Sequence, residues 1–216
     1  GEISMFYDPM IAKLCTWGTD RASAIDHMRA ALDAFEVEGI GHNLPFLSAV
    51  MDHPRFVSGD ISTAFIAEEY PDGFSGVALS DAHAARMAAV ATTLKLVREA
   101  RDAEITGAVA NRARDVGSDR VVTFGGKAWG VRAEAGSYKV TALTEPFVGA
   151  GVDLGAGHPV AIETDWTPGD TLAHVVIDGE ALAIKVDGMT EGFRLRWRGS
   201  DVRAVVRTPR HAELAA

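Results

Sequence analysis

Apolar residues recur at helical spacing through the first half of the chain, and from about Asp119 onward they alternate with polar residues at strand spacing. After Thr19, a residue suited to capping, Ile25, Met28, Leu32 and Phe35 fall three and four apart and predict an amphipathic helix to about Glu36. Gly39 and Gly41 follow as its stop. Asn43 opens a second helix through Leu44, Phe46, Leu47, Val50 and Met51, with Pro45 tolerated in the first turn and Pro54 ending it. Phe56 to Asp60 reads as a short strand and turn that leads into a helical turn near Ile66, and Pro71-Asp72-Gly73 is a turn signal. The clearest helix runs from Ser80, its cap, to about Arg101, with Met87, Val90, Leu94 and Val97 on one stripe. Ala84, Ala85, Ala88, Ala89 and Ala91, with Leu96 off the stripe, leave most of its circumference small and apolar. That composition predicts packing on more than one side, and only Arg86, Lys95, Arg98 and Glu99 call for solvent or charged partners.

About eight strands are expected downstream: Arg120 to Phe124, Lys127 to Ala133, Ser137 to Leu143, Val160 to Trp166, Thr171 to Ile177, Ala181 to Val186, Phe193 to Arg198 and Val202 to Arg207. Tight turns are readable at Gly125-Gly126, Asp178-Gly179 and Gly199-Ser200. An antiparallel meander of that length must hide its edges, and the small-sided helix just upstream is something to wrap around. The fold class predicted is α+β: a helical N-terminal part, then a long helix packed in an antiparallel, roughly eight-stranded β-barrel-like sheet.

Composition narrows the function classes. The 216 residues are 47% hydrophobic and 24% charged, enough for a medium-sized globular core. A formal net charge of -9 argues against a nucleic-acid-binding face, which needs clustered Lys and Arg to displace counterions. No run approaches the roughly 20 apolar residues of a membrane-spanning helix, so no membrane partner is expected. Cys15 is the single cysteine; it predicts a reducing compartment, the cytoplasm or the mitochondrial matrix, and its place in Met10-Ile11-Ala12-Lys13-Leu14-Cys15 suggests a buried structural thiol. The opening Ile3-Ser4-Met5-Phe6-Tyr7 is strand-like without a leader, as though it belonged inside a larger sheet.

Candidate chemistry is sparse. Gly149 to Gly157 is glycine-rich, but its spacing misses G-x-G-x-x-G and a strand follows it, so a hairpin connection is the better reading. Gly125-Gly126-Lys127 likewise lacks the helix a phosphate loop needs. The seven histidines show no zinc-site spacing, and Glu163 with Asp165, on one strand face, reads as solvated surface. No G-x-S-x-G nucleophile elbow occurs. Trp129, Trp166 and Trp197 fall on separate strands and either fill the barrel core or line a cavity for a small apolar ligand. No catalytic, cofactor-binding or metal-ligating residue is assigned.

The strings Tyr7-Asp8-Pro9-Met10-Ile11-Ala12-Lys13-Leu14, Gly41-His42-Asn43, Phe56-Val57-Ser58-Gly59-Asp60-Ile61-Ser62-Thr63 and Tyr70-Pro71-Asp72-Gly73-Phe74 carry a resemblance. They resemble the C-terminal end of the biotin carboxylase domain in α subunits of biotin-dependent acyl-CoA carboxylases, the propionyl-CoA carboxylase group in particular. Identities carry the likeness to about residue 76, and hydrophobic pattern and element order carry it beyond. The resemblance implies a division at that point, with residues 1–76 the end of the biotin carboxylase domain and 77–216 the BT module, helix 80–101 followed by barrel 119–207. It implies an enzyme that carboxylates propionyl-CoA to methylmalonyl-CoA with ATP-Mg, bicarbonate and biotin, in which this module joins the α subunit to a carboxyltransferase β subunit in a hetero-oligomer. The biotin carboxylase and biotinyl domains of the same chain are the other implied partners. No glycine loop for ATP, no catalytic Lys and Glu cluster and no Ala-Met-Lys-Met biotinylation motif is present here, so neither biotin nor ATP is expected to bind these residues and no catalysis is expected from them alone. At most Ile61 to Ala64 matches a stretch near the family's nucleotide pocket. The contact with the β subunit is assigned to Arg98 and, in the connection 102–117, to Ile105, Val109, Asn111, Arg112 and Arg114, whose mix of apolar and Arg character suits a docking loop.

Overall fold

The computed structural model describes residues 10–37, 39–104, 117–134, 137–143 and 158–215. The strand expected at Ile3 to Tyr7, most of the connection after the long helix, and Gly149 to Gly157 lie outside them. Four short helices come first: α1 (Arg21–Ala34), α2 (Leu44–Asp52), α3 (Pro54–Ser58) and α4 (Phe65–Glu69). Asp20, not Thr19, caps α1. Its carboxylate accepts from the Ser23 amide at 2.8 Å while the Ser23 hydroxyl accepts from the Asp20 amide at 3.1 Å, so two otherwise orphaned donors are satisfied reciprocally. Pro54 ends α2 as expected but also opens α3 in its first turn, so Phe56 to Ser58 is helical and not the strand that the short apolar run suggested. Edge-to-face rings bind these helices together, with centroids 5.1 Å apart for both Phe46–Tyr70 and His53–Phe65. Cys15 is exposed and not buried, and Met10 and Ile11 of the same apolar run are exposed too.

The long helix, α5 (Asp81–Ala103), is capped by Ser80, whose hydroxyl accepts from the His83 amide at 3.3 Å. Every position from Met87 to Leu94 is buried, and at about 100° of rotation per residue that run covers the full circumference. The alanines anticipated on its flanks, Ala88, Ala89 and Ala91, are wholly inaccessible. Small side chains there let the surrounding backbone approach from all sides.

What surrounds α5 is one antiparallel sheet of nine strands: β1 (Asp119–Phe124), β2 (Lys127–Glu134), β3 (Ser137–Leu143), β4 (His158–Val160), β5 (Ile162–Thr164), β6 (Leu172–Ile177), β7 (Glu180–Met189), β8 (Gly192–Trp197) and β9 (Ser200–Arg207). Their order is β4-β3-β2-β1-β9-β8-β7-β6-β5. The single strand expected over Val160 to Trp166 is two, and the reason is closure. Residues up to Val160 pair with β3, whereas those from Ile162 pair with β6, so one continuous run supplies both outer edges of the sheet. At the changeover, Ala161 donates to the Asp178 carboxylate at 2.9 Å and its carbonyl accepts from the Asp178 amide at 3.0 Å. The seam leaves little bare strand edge.

Alternation is clean in β6 and β9, whose inward residues Ala173, Val175, Ile177, Val202, Ala204 and Val206 belong to one core with α5. Trp129, Trp166 and Trp197 are buried in the same core, and α5 occupies the space that a ligand cavity would need. The turn after β8 is Arg198-Gly199, one residue earlier than expected, with φ of +50° and +78°. A last helix, α6 (Pro209–Ala215), lies against β1 and β9 and buries Ala212.

Because α5 is enclosed on every side, enlarging one of its alanines leaves no direction for relief. Ala89→Leu should cost about 1–3 kcal/mol, whereas Ala100→Leu, on the exposed stretch of the same helix, should be near neutral. Urea unfolding midpoints of the two variants check this.

Candidate interaction surface at the helix exit

The four charged residues of α5 singled out in the sequence all find partners on the barrel wall or on the helix itself. Arg86 pairs with Glu180 at 2.9 Å and donates to the Ile177 carbonyl at 3.2 Å. Lys95 lies 3.4 Å from Glu99, one turn on. Glu99 in turn holds Arg120 of β1 at 2.5 Å. Arg98 stacks its guanidinium 4.7 Å from the Phe193 ring centre and donates to the Met189 carbonyl at 3.3 Å. Beyond it, Arg101 donates to the Pro168 carbonyl at 3.3 Å, a cation in the last turn where the helix dipole favours one.

These contacts fix the place where α5 leaves the barrel. Arg120 is only 2% exposed, the largest side chain among those fully buried, and it also donates to the carbonyls of Asp119 at 2.7 Å and Gly117 at 3.4 Å. One ion pair therefore ties the last third of the helix to the first strand, and the two stems of the intervening connection are held side by side. Asp119 reinforces the strand stem through a bidentate cross-strand pair with Arg132 at 2.9 and 3.1 Å. Hydrogen bonds from Arg132 hold the Asp119 carboxyl below its ordinary range, against the opposing effect of partial burial. Nearby, Arg207 grips Glu191 at 2.5 Å, and this hydrogen bond lowers the Glu191 carboxyl likewise.

Of the contact residues assigned from sequence, Arg98 is described and is engaged with Phe193. Ile105, Val109, Asn111, Arg112 and Arg114 lie outside the described residues. Ile61 to Ala64 lies between α3 and α4, where Arg55 pairs with Glu68 and Glu69 and reaches Asp60. Among the described residues no three His, Cys, Asp or Glu side chains gather as metal ligands, and no helix is long and apolar enough to cross a membrane. The Glu99–Arg120 pair was missed in the sequence, since Arg120 begins a strand and reads there as an ordinary exposed end.

The family model described as propionyl-coenzyme A carboxylase BT domain matches residues 87–216, and that of the biotin carboxylase C-terminal domain matches residues 1–68. The propionyl-CoA carboxylase alpha chain of Ruegeria pomeroyi is 53% identical over 215 residues, covering 100% of this chain and 30% of that one. The mitochondrial propionyl-CoA carboxylase alpha chain of Rattus norvegicus is 44% identical over 100 residues, 46% of this chain and 14% of the relative. The mitochondrial methylcrotonoyl-CoA carboxylase subunit alpha of Dictyostelium discoideum is 45% identical over 65 residues, 30% of this chain and 9% of its own. The chain thus spans less than a third of the relatives it matches.

Two outcomes test the geometry at the exit. Glu99→Gln takes a carboxylate away from the nearly enclosed Arg120 guanidinium and should cost about 3 kcal/mol, more than Arg120→Met, which leaves Glu99 beside Lys95. Chemical denaturation of both variants decides the order. The lowered Asp119 carboxyl contributes stability that is present above its unfolded value, about 3.9, and is lost as pH falls through its folded value. Asp119→Asn should therefore flatten the acid limb of a stability profile measured from pH 6 to pH 2.

Proposed function

Because the chain belongs to the propionyl-coenzyme A carboxylase BT-domain family, we propose that it is the joining portion of a propionyl-CoA carboxylase α chain. In this reading residues 1–76 close the biotin carboxylase domain and 77–216 form the module that docks on a carboxyltransferase β subunit. The whole enzyme carboxylates propionyl-CoA to methylmalonyl-CoA with ATP-Mg, bicarbonate and biotin, in the bacterial cytoplasm or the mitochondrial matrix. Biotin and ATP act in parts of the enzyme other than these residues, which position those parts and carry no reacting group.

The observation that supports a docking role is the build of the α5 exit. A helix enclosed from Met87 to Leu94 gives a rigid base, and the Glu99–Arg120 pair ties its last third to the strand that follows the connection carrying Ile105, Val109, Asn111, Arg112 and Arg114. Presenting a short segment on stems fixed in this way reduces the ordering cost of binding. The filling of the barrel by α5 weighs against a free-standing ligand-binding barrel, the other reading open to the sequence.

Mixing the chain with the carboxyltransferase β subunit should give a complex on size exclusion at micromolar concentration. Replacing Arg112 and Arg114 together by Ala should weaken it by about tenfold or more, since arginines at the centre of an interface commonly each contribute above 1 kcal/mol. A β subunit that binds the full α subunit but not this chain sinks the proposal.

A further inference from the structure

α1 and α2 both end without a basic residue in the last turn, and both carry an aspartate there, Asp33 and Asp52. A carboxylate at the negative end of a helix dipole is unfavourable, and Asp33 compounds this by being nearly enclosed, its side chain 5% exposed. At the end of α2, Arg29 of α1 places Nε 2.6 Å from Asp52 and donates to the Met51 carbonyl at 2.9 Å, and further cations come from the barrel. Arg198, in the turn between β8 and β9, places Nε 2.7 Å from Asp33 and Nη1 3.4 Å from Asp52. Lys185 of β7 donates at 3.0 Å to the Leu32 carbonyl, one of the last-turn carbonyls of α1 that have no partner within the helix.

The adjoining glycine brings the turn into contact with the helices. The Gly199 carbonyl accepts from the Val77 amide at 3.1 Å, and a Cβ at position 199 would stand 2.7 Å from the Pro45 carbonyl. With φ at +78° the position is also one where a side chain is strained. On these observations we propose that the Arg198-Gly199 turn is a latch that locks the helical segment to the barrel as one rigid body, Arg198 being the barrel group that reaches both α1 and α2.

Other contacts cross the joint, among them Thr171 to Glu36 at 2.5 Å, but each reaches a single helix or loop. Among the described residues Arg198 is the barrel cation that touches two helices at once. Burial pushes the Asp33 carboxyl up from its ordinary value, and Arg198 and Lys185 oppose that rise. Lys185 is pushed down by burial and by Arg196 beside it. A joint that needs this charge arrangement to stay closed is a poor hinge. Relative motion of the parts of the larger enzyme would then arise elsewhere.

Paired spin labels on the chain test this, with one label at Cys15, which is exposed, and the other at Thr190→Cys, exposed in the turn after β7. The native latch should give one narrow distance distribution. Arg198→Ala should broaden it about twofold or more while far-UV circular dichroism stays unchanged, as a freed joint between two folded parts would. An unchanged width overturns the proposal. Should Arg198→Ala fail to fold, Asp33→Asn removes the nearer acceptor charge and leaves the Arg29–Asp52 pair between α1 and α2 in place; broadening supports the latch and a narrow distribution overturns it. The readout lies within one chain, so it stands or falls independently of any binding to a carboxyltransferase.

Discussion

Enclosure of α5 is the constraint from which the rest of the structure follows. A helix buried around its whole circumference from Met87 to Leu94 can expose no polar face along that run, and it tolerates only side chains that let a sheet close over it. The sheet has the complementary problem of bare edges, and wrapping the helix until its two edges meet in one run of chain at Ala161 solves it. Neither part has a satisfactory alternative without the other. The charged residues of α5 obey the same logic: Arg86 lies before the enclosed run, Lys95, Arg98 and Glu99 beyond it, and Arg86, Arg98 and Glu99 reach hairpin and strand groups of the barrel while Lys95 pairs with Glu99.

Much of this was legible in the chain. Ala84, Ala85, Ala88, Ala89 and Ala91, off the main stripe of the 80–101 helix, announced packing on several sides, and period-two alternation with glycine turns announced the meander. The breaks from that reading have local causes. Phe56 and Val57 form too short an apolar run to separate helix from strand, and Pro54 tipped it by serving as the first turn of a new helix. Ala161 looked like the middle of one strand because nothing in a sequence marks a residue whose two neighbours pair on opposite sides of a closed sheet.

The candidate site was less legible, for a reason of distance. Asp33 and Arg198 are separated by 165 positions, and Glu99 and Arg120 by 21 across a connection. A residue's charge is plain in a sequence, but its burial depends on what folds over it. Arg120 and Asp33 each read as ordinary surface groups at an element's end, yet both are among the most buried polar side chains described. Pairs of this kind contribute through what happens when one member is removed, since the other is then left charged in a poorly solvated place. The five contact residues assigned in the connection rest on composition alone, Arg and apolar side chains outside regular structure.

The order of elements along the chain has a consequence for biosynthesis. α5 leaves the ribosome before any of the strands that cover it, and β1 cannot complete its pairing until β9, the last strand, has been made. For the whole interval the helix carries an apolar surface with no permanent partner. Closure is late and non-local, the arrangement that folds slowly and is exposed to aggregation meanwhile. Nascent chains halted before Arg207 should therefore be natural clients for chaperones that shield exposed hydrophobic helices.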